Sequence, residues 1–66
     1  MNACKIFLRL PSVKARTGLS RSSIYLRIKQ GTFPKPIPLG GRAVAWQEFE
    51  INDWIDEQVN IARGDK

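Results

Sequence analysis

Histidine is absent from this 66-residue chain, and cysteine occurs once, at Cys4. No intramolecular disulfide can form and no Cys/His zinc site can be assembled. The commonest general base at neutral pH is missing, and with it any Ser-His or Cys-His nucleophile pair. Cys4 reads as a small, partly buried hydrophobe near the N-terminus, with a redox role as the alternative. No apolar run approaches the ~18 residues of a membrane span, and no signal-peptide pattern is present. A reduced, cytoplasmic protein is the expectation, with no metal and no cofactor.

Acidic residues are missing from the first 47 positions. That stretch carries Lys5, Arg9, Lys14, Arg16, Arg21, Arg27, Lys29, Lys35 and Arg42. The remainder carries Glu48, Glu50, Asp53, Asp56, Glu57 and Asp65 against Arg63 and Lys66, for an overall charge of +5. Ordinary solubilising surfaces mix both signs. Segregation on this scale sets up a positive field suited to a polyanion, nucleic acid before membrane.

The apolar content of 42% supports a small core, and residues 1–66 read as one domain. Ile6, Leu8 and Leu10 alternate as in a short extended lead-in. Pro11 suits the first position of a helix to about Thr17, with Val13 inward and Lys14 and Arg16 in water. Gly18 supplies a left-handed stop. Ser20 is a candidate N-cap for a second helix ending near Gln30, with Gly31 following. There Ile24 and Ile28 lie four apart, Leu19 staples in from the turn, and Leu26 is an apolar residue on a flank otherwise read as exposed. Residues 33–38 hold three prolines and fit neither a helix nor a central strand. Ile37–Leu39, the Gly40–Gly41 pair and Ala43–Trp46 read as a hairpin with Arg42 at its tip. From about Gln47 to Ala62, the stripe of Ile51, Trp54, Ile55, Val59 and Ala62 predicts a helix, its first turn loaded with Glu48 and Glu50. Phe49 either joins the core or lies beside Trp46, and both tryptophans read as core, not base-stacking platforms. The carboxylates of this helix spread along a solvated face, which does not suggest acid catalysis.

The order helix–turn–helix–hairpin–helix is mainly α with a small β-hairpin. Two short helices on a tight turn, the second opening with small polar and cationic residues, match what a helix-turn-helix needs to set a helix in the major groove. Ser20, Arg21, Ser22, Ser23, Tyr25, Arg27 and Lys29 are the candidate contacts on that helix. Arg21 can pair with guanine or hold a phosphate, and Tyr25 offers a hydroxyl or a flat surface. Lys35, Gly41 and Arg42 on the hairpin are candidates for the sugar–phosphate backbone or the minor groove. Leu39-Gly-Gly-Arg42 is no nucleotide-binding phosphate loop, because Gly-Lys-Ser/Thr is missing.

The stretches Thr17–Tyr25 (TGLSRSSIY), Gly31–Pro36 (GTFPKP), Leu39–Trp46 (LGGRAVAW) and Glu50–Ile55 (EINDWI) resemble the AlpA-type family of phage and genomic-island regulators, related to excisionases and to the DNA-reading head of MerR-type regulators. The resemblance covers about Leu8 to Glu57 and implies a winged helix-turn-helix. Its recognition helix corresponds to Ser20–Lys29 and its wing to Leu39–Trp46. It further implies a transcriptional regulator of prophage or integrative-element genes, such as an integrase gene. Leu26 departs from the polar or basic residue such proteins often carry, and Phe49 from a small polar one. Double-stranded DNA is the expected partner, with a recombinase/integrase or RNA polymerase as further ones. The expected state is a monomer or weak homodimer, cooperative on repeated sites. Two other readings compete: an excisionase-like factor that bends an attachment site, and a protein-interaction module that binds no DNA.

Overall fold

A computed structural model describes residues 6–64; Cys4 and Lys5, with the reading of Cys4 as a partly buried hydrophobe, lie outside the described residues. The chain runs β1 (Phe7–Leu8), α1 (Leu10–Thr17), α2 (Arg21–Gln30), β2 (Ile37–Gly40), β3 (Ala43–Gln47) and α3 (Glu48–Ala62).

The lead-in is a two-residue strand. Phe7 stands opposite Gln47 and Leu8 opposite Trp46, both antiparallel, which makes β3 the centre of a three-stranded sheet in the order β1-β3-β2. The alternation expected through Ile6, Leu8 and Leu10 does not persist. Leu8 is buried, whereas Ile6 is exposed and Leu10 already belongs to α1. The strand ends because the Arg9 carbonyl turns to accept from the N–H groups of Ser12 and Val13 and so starts the helix. Pro11 therefore occupies the second helical position, where its missing N–H is equally harmless.

Val13 is the fully buried residue of α1. At the helix end the Thr17 hydroxyl donates to the Val13 carbonyl at 2.8 Å and accepts from the N–H of Leu19 at 3.3 Å. Gly18 follows at φ +74°, its N–H donating to the Lys14 carbonyl. That left-handed residue reverses the chain within three positions and delivers Ser20 as the cap of α2. Ile24 of α2 is fully buried, while Ile28 and Leu19 pack against the same core.

The proline-rich segment after α2 is anchored through its carbonyls, which need donors when prolines supply none. Trp46 Nε1 donates to the Pro34 carbonyl at 2.9 Å, and Trp54 Nε1 donates to that of Thr32 at 2.7 Å. Phe33 between them is buried, edge-on to Trp54 at 4.8 Å between centroids. Pro38 is tolerated because β2 is an edge strand. The hairpin register pairs Ile37 with Ala45, Pro38 with Val44 and Gly40 with Ala43, with an irregularity between Pro38 and Gly40. The turn is thus Gly41–Arg42, one residue later than the Gly40–Gly41 pair suggests, because Gly40 is taken into the ladder.

Helix α3 lays Ile51, Trp54 and Ile55 on the core, with Ile51 fully buried. The stripe then lapses. Val59 is 39% exposed and Ala62 exposed, because the core residues reach no further along the helix than Ile55. Phe49 does not join the core: it is 56% exposed, since two residues before Ile51 is more than half a turn round the helix from the buried face. The core is Leu8, Val13, Ile24, Phe33, Trp46 and Ile51. Fully burying one such aliphatic or aromatic side chain contributes roughly 1.5–3 kcal/mol. Two helices on a tight turn, a hairpin, and a closing helix on the shared core constitute a winged helix-turn-helix.

Candidate nucleic-acid interface

The N-terminus of α2 is built by two serines. Ser20 Oγ accepts from the backbone N–H of Ser23 at 3.1 Å and donates to Ser23 Oγ at 3.1 Å. No acidic residue occupies the first turn. The partial positive charge of this helix end is therefore uncompensated, and its free N–H groups face a surface that also carries Arg21. Lys29 and Arg27 sit in the last turn, where cations complement the opposite pole.

The faces of α2 sort the sequence-derived candidates. Ile24 and Ile28 define the core side. Ser22 and Lys29 lie on the far side and are exposed, as is Arg21. Arg21 runs back over the ring of Tyr25, its guanidinium carbon 5.4 Å from the centroid. Tyr25 lies off the core stripe by spacing, yet the structure packs it against the core. Its ring meets Trp46 edge-on at 6.4 Å, because the bulk of the indole extends the core sideways beneath it. Tyr25 thus links α2 to β3 and supports Arg21 from below. Arg27 leaves by the opposite flank, 5.8 Å from the ring of Trp54 on α3, and is half-buried.

Gly41 and Arg42 form the exposed turn of the hairpin, whereas Lys35, expected on it, is exposed in the proline-rich segment before β2, where Pro34 and Pro36 on either side keep it out of the ladder. Arg42 stands four residues from Trp46 along β3, about 13 Å in an extended chain, so the wing projects well beyond the Tyr25–Trp46 junction. Arg9 is a cation of this region that motif reading passes over. Its Nε donates to the Val44 carbonyl at 3.0 Å, where β1 no longer covers the edge of β3. The one hint in the sequence was its membership of the acid-free stretch.

Among the described residues, one ion pair bridges the basic and acidic parts of the chain. Arg16 on α1 meets Glu48 at 3.0 Å, so the acidic helix does not turn wholly away from the basic half. Glu50, Asp53 and Glu57 line a separate open groove with Phe49, Trp54 and Ile61, walled on its other side by Gly31–Pro34. The sign of that groove opposes a polyanion. Among the described residues no group of three or more His, Cys, Asp and Glu side chains could hold a metal ion, and no helix is long and apolar enough to cross a membrane.

Comparison with known proteins bears on this arrangement. The family model described as prophage CP4-57 regulatory protein (AlpA) matches residues 6–59, from β1 into the last turns of α3. The chain belongs to the AlpA family. It is 40% identical over 60 residues to the DNA-binding transcriptional activator AlpA of Escherichia coli (strain K12), covering 82% of this chain and 86% of that protein. It is 49% identical over 53 residues to the uncharacterized protein ORF88 of Enterobacteria phage P4, covering 80% of this chain. The match spans 60% of the length of ORF88. The resemblance carried by the four motifs of the AlpA family is thereby established, and with it the kinship to phage regulators.

Proposed function

We propose that this AlpA-family chain acts as a single domain that binds double-stranded DNA in a sequence-specific way and regulates transcription of prophage or integrative-element genes, an integrase gene among them. The observation that carries the reading is the N-terminus of α2. It is capped by Ser20, free of acids in its first turn, and fronted by exposed Arg21 and Ser22. The similarity to AlpA of E. coli, a DNA-binding transcriptional activator, supports it.

In this mechanism α2 enters the major groove by its N-terminal end. Its helix pole and Arg21 draw a phosphate or pair with guanine, while Ser22 and Ser23 are small enough to let the backbone approach. Arg27, Lys29 and Lys35 supply the sequence-independent attraction. The wing brings Gly41 and Arg42 to the sugar–phosphate backbone or the minor groove. The function is binding and not catalysis, with a cytoplasmic, nucleoid-associated setting. A monomer of this size contacts few base pairs, so a weak homodimer or cooperative occupancy of repeated sites, and contact with a recombinase or RNA polymerase, complete the proposal.

The test is fluorescence anisotropy against DNA upstream of a neighbouring integrase gene, beside a scrambled duplex, over a salt series. Tight binding to the first alone is expected, with log affinity falling on log salt by about 0.9 per neutralised phosphate. Equal, weak binding to both would replace regulation with the role of a DNA-bending architectural factor. Absence of binding to either would overturn the reading in favour of a protein-interaction module.

A further inference from the structure

Leu26 stands in the middle of the solvent face of α2 and is 55% exposed. It follows Ser22 by one turn and precedes Lys29 by three residues, so the three make one row along the helix. Both of those neighbours are exposed polar residues. Ile24 and Ile28, the core residues of the same helix, lie on the opposite side. Leu26 thus belongs neither to the core nor to the residues packed against it.

We infer that Leu26 is a specificity-determining residue that packs against the 5-methyl group of a thymine in the major groove. The inference rests on the DNA-binding reading above. A leucine side chain has no hydrogen-bonding atom. Apart from small C–H edges, the bases present donors and acceptors in the major groove, and the thymine methyl is the one apolar group that projects into it. Leu26 set against cytosine or guanine would strip water from polar edges without replacing their hydrogen bonds, which is unfavourable. Against thymine it buries a methyl group on each side. The row from Ser22 to Lys29 thus reads as polar contact, methyl contact, cation. The central position selects thymine by shape and apolarity where neighbouring positions select by hydrogen bonding.

Deoxyuridine differs from thymidine by that methyl group alone, which gives a direct experiment. Duplexes selected by the full chain from a randomised pool are resynthesised with deoxyuridine in place of thymidine, one position at a time. Each is titrated with the wild-type chain, Leu26→Ala and Leu26→Met. At one position, or two adjacent ones, the wild type is expected to lose roughly fourfold in affinity, the worth of about one buried methyl. Leu26→Met should keep that sensitivity. Leu26→Ala should be indifferent to the methyl and bind the thymidine duplex about as weakly as the wild type binds the deoxyuridine one. Because Leu26 is exposed, both variants should melt with the wild type, so a loss of binding is not a loss of fold. Sequence-specific binding with no thymine whose methyl matters, or a methyl effect that survives in Leu26→Ala, overturns this inference alone. Failure of the wild-type chain to select any duplex overturns the DNA-binding reading and this inference with it.

Discussion

Trp54 donates its indole N–H to the backbone carbonyl of Thr32 at 2.7 Å, joining α3 to the segment that leaves α2. The same ring meets Phe33 edge-on and lies under Arg27. Trp54→Phe keeps most of the apolar contact with Phe33 and removes the donor. It should cost about 1 kcal/mol, the net worth of one intramolecular hydrogen bond. A urea titration reads this as a lower midpoint at unchanged slope. An unchanged midpoint would mean that water serves the Thr32 carbonyl equally well.

Ser20 provides a way to separate stability from binding at one atom. Ser20→Ala removes the acceptor for the Ser23 N–H and should lower stability by about 1 kcal/mol. Ser20→Asp restores a capping oxygen and adds a charge that the helix pole favours, so the fold should recover fully. That carboxylate would occupy the place proposed for a phosphate. Thermal melts and duplex titrations should therefore part company: Ser20→Asp stable but weak in binding, more so at low salt. If it bound as well as the wild type, the N-terminus of α2 would not face DNA.

Most of the architecture was legible because its signals are local. Pro11, Gly18, Ser20 and Gly31 punctuate the helices by backbone chemistry that depends on a few neighbours. What the sequence hid depends on partners distant along the chain. Ile6 alternates with the buried Leu8 and Phe49 is an apolar residue at the start of α3, yet the two are 44% and 56% exposed. Tyr25 looked solvent-facing by periodicity, until the indole of Trp46, 21 positions later, widened the core beneath it. Arg9 likewise takes its place on the wing through a carbonyl 35 residues away. On the candidate interface, the capping role of Ser20 was legible; the sharing of Tyr25 between Arg21 and the core was not.

The wing tip offers a second separation. Gly41 has φ +55° and nothing within 4 Å of where a Cβ would stand. The cost of a side chain there is thus one of backbone conformation alone. Gly41→Ala should destabilise by about 1–2 kcal/mol, whereas Gly41→Asn, which adopts this conformation readily, should lose much less. If the tip rests on the sugar–phosphate backbone, Gly41→Asn should still bind duplex less tightly, because its side chain holds the strand off. Equal affinity in a variant of native stability would remove Gly41 from the interface.

Arg21 and Arg42 should fail in different ways. Arg21 is positioned by the ring of Tyr25 at 5.4 Å, which favours directional contact, whereas Arg42 sits in an exposed two-residue turn. Arg21→Ala should cost about 1–3 kcal/mol on the preferred duplex and little on a scrambled one if it pairs with guanine. Arg42→Ala should weaken both duplexes alike and reduce the salt slope by about 0.9, the signature of one lost phosphate contact. Tyr25→Phe serves as the control, since it keeps the ring against Trp46 and under Arg21 and removes the hydroxyl alone. Native specificity in Tyr25→Phe would assign Tyr25 to support, leaving the reading of bases to Arg21 and its neighbours. Equal losses on both duplexes for Arg21→Ala would instead assign Arg21 to the phosphate backbone and move sequence choice further along α2.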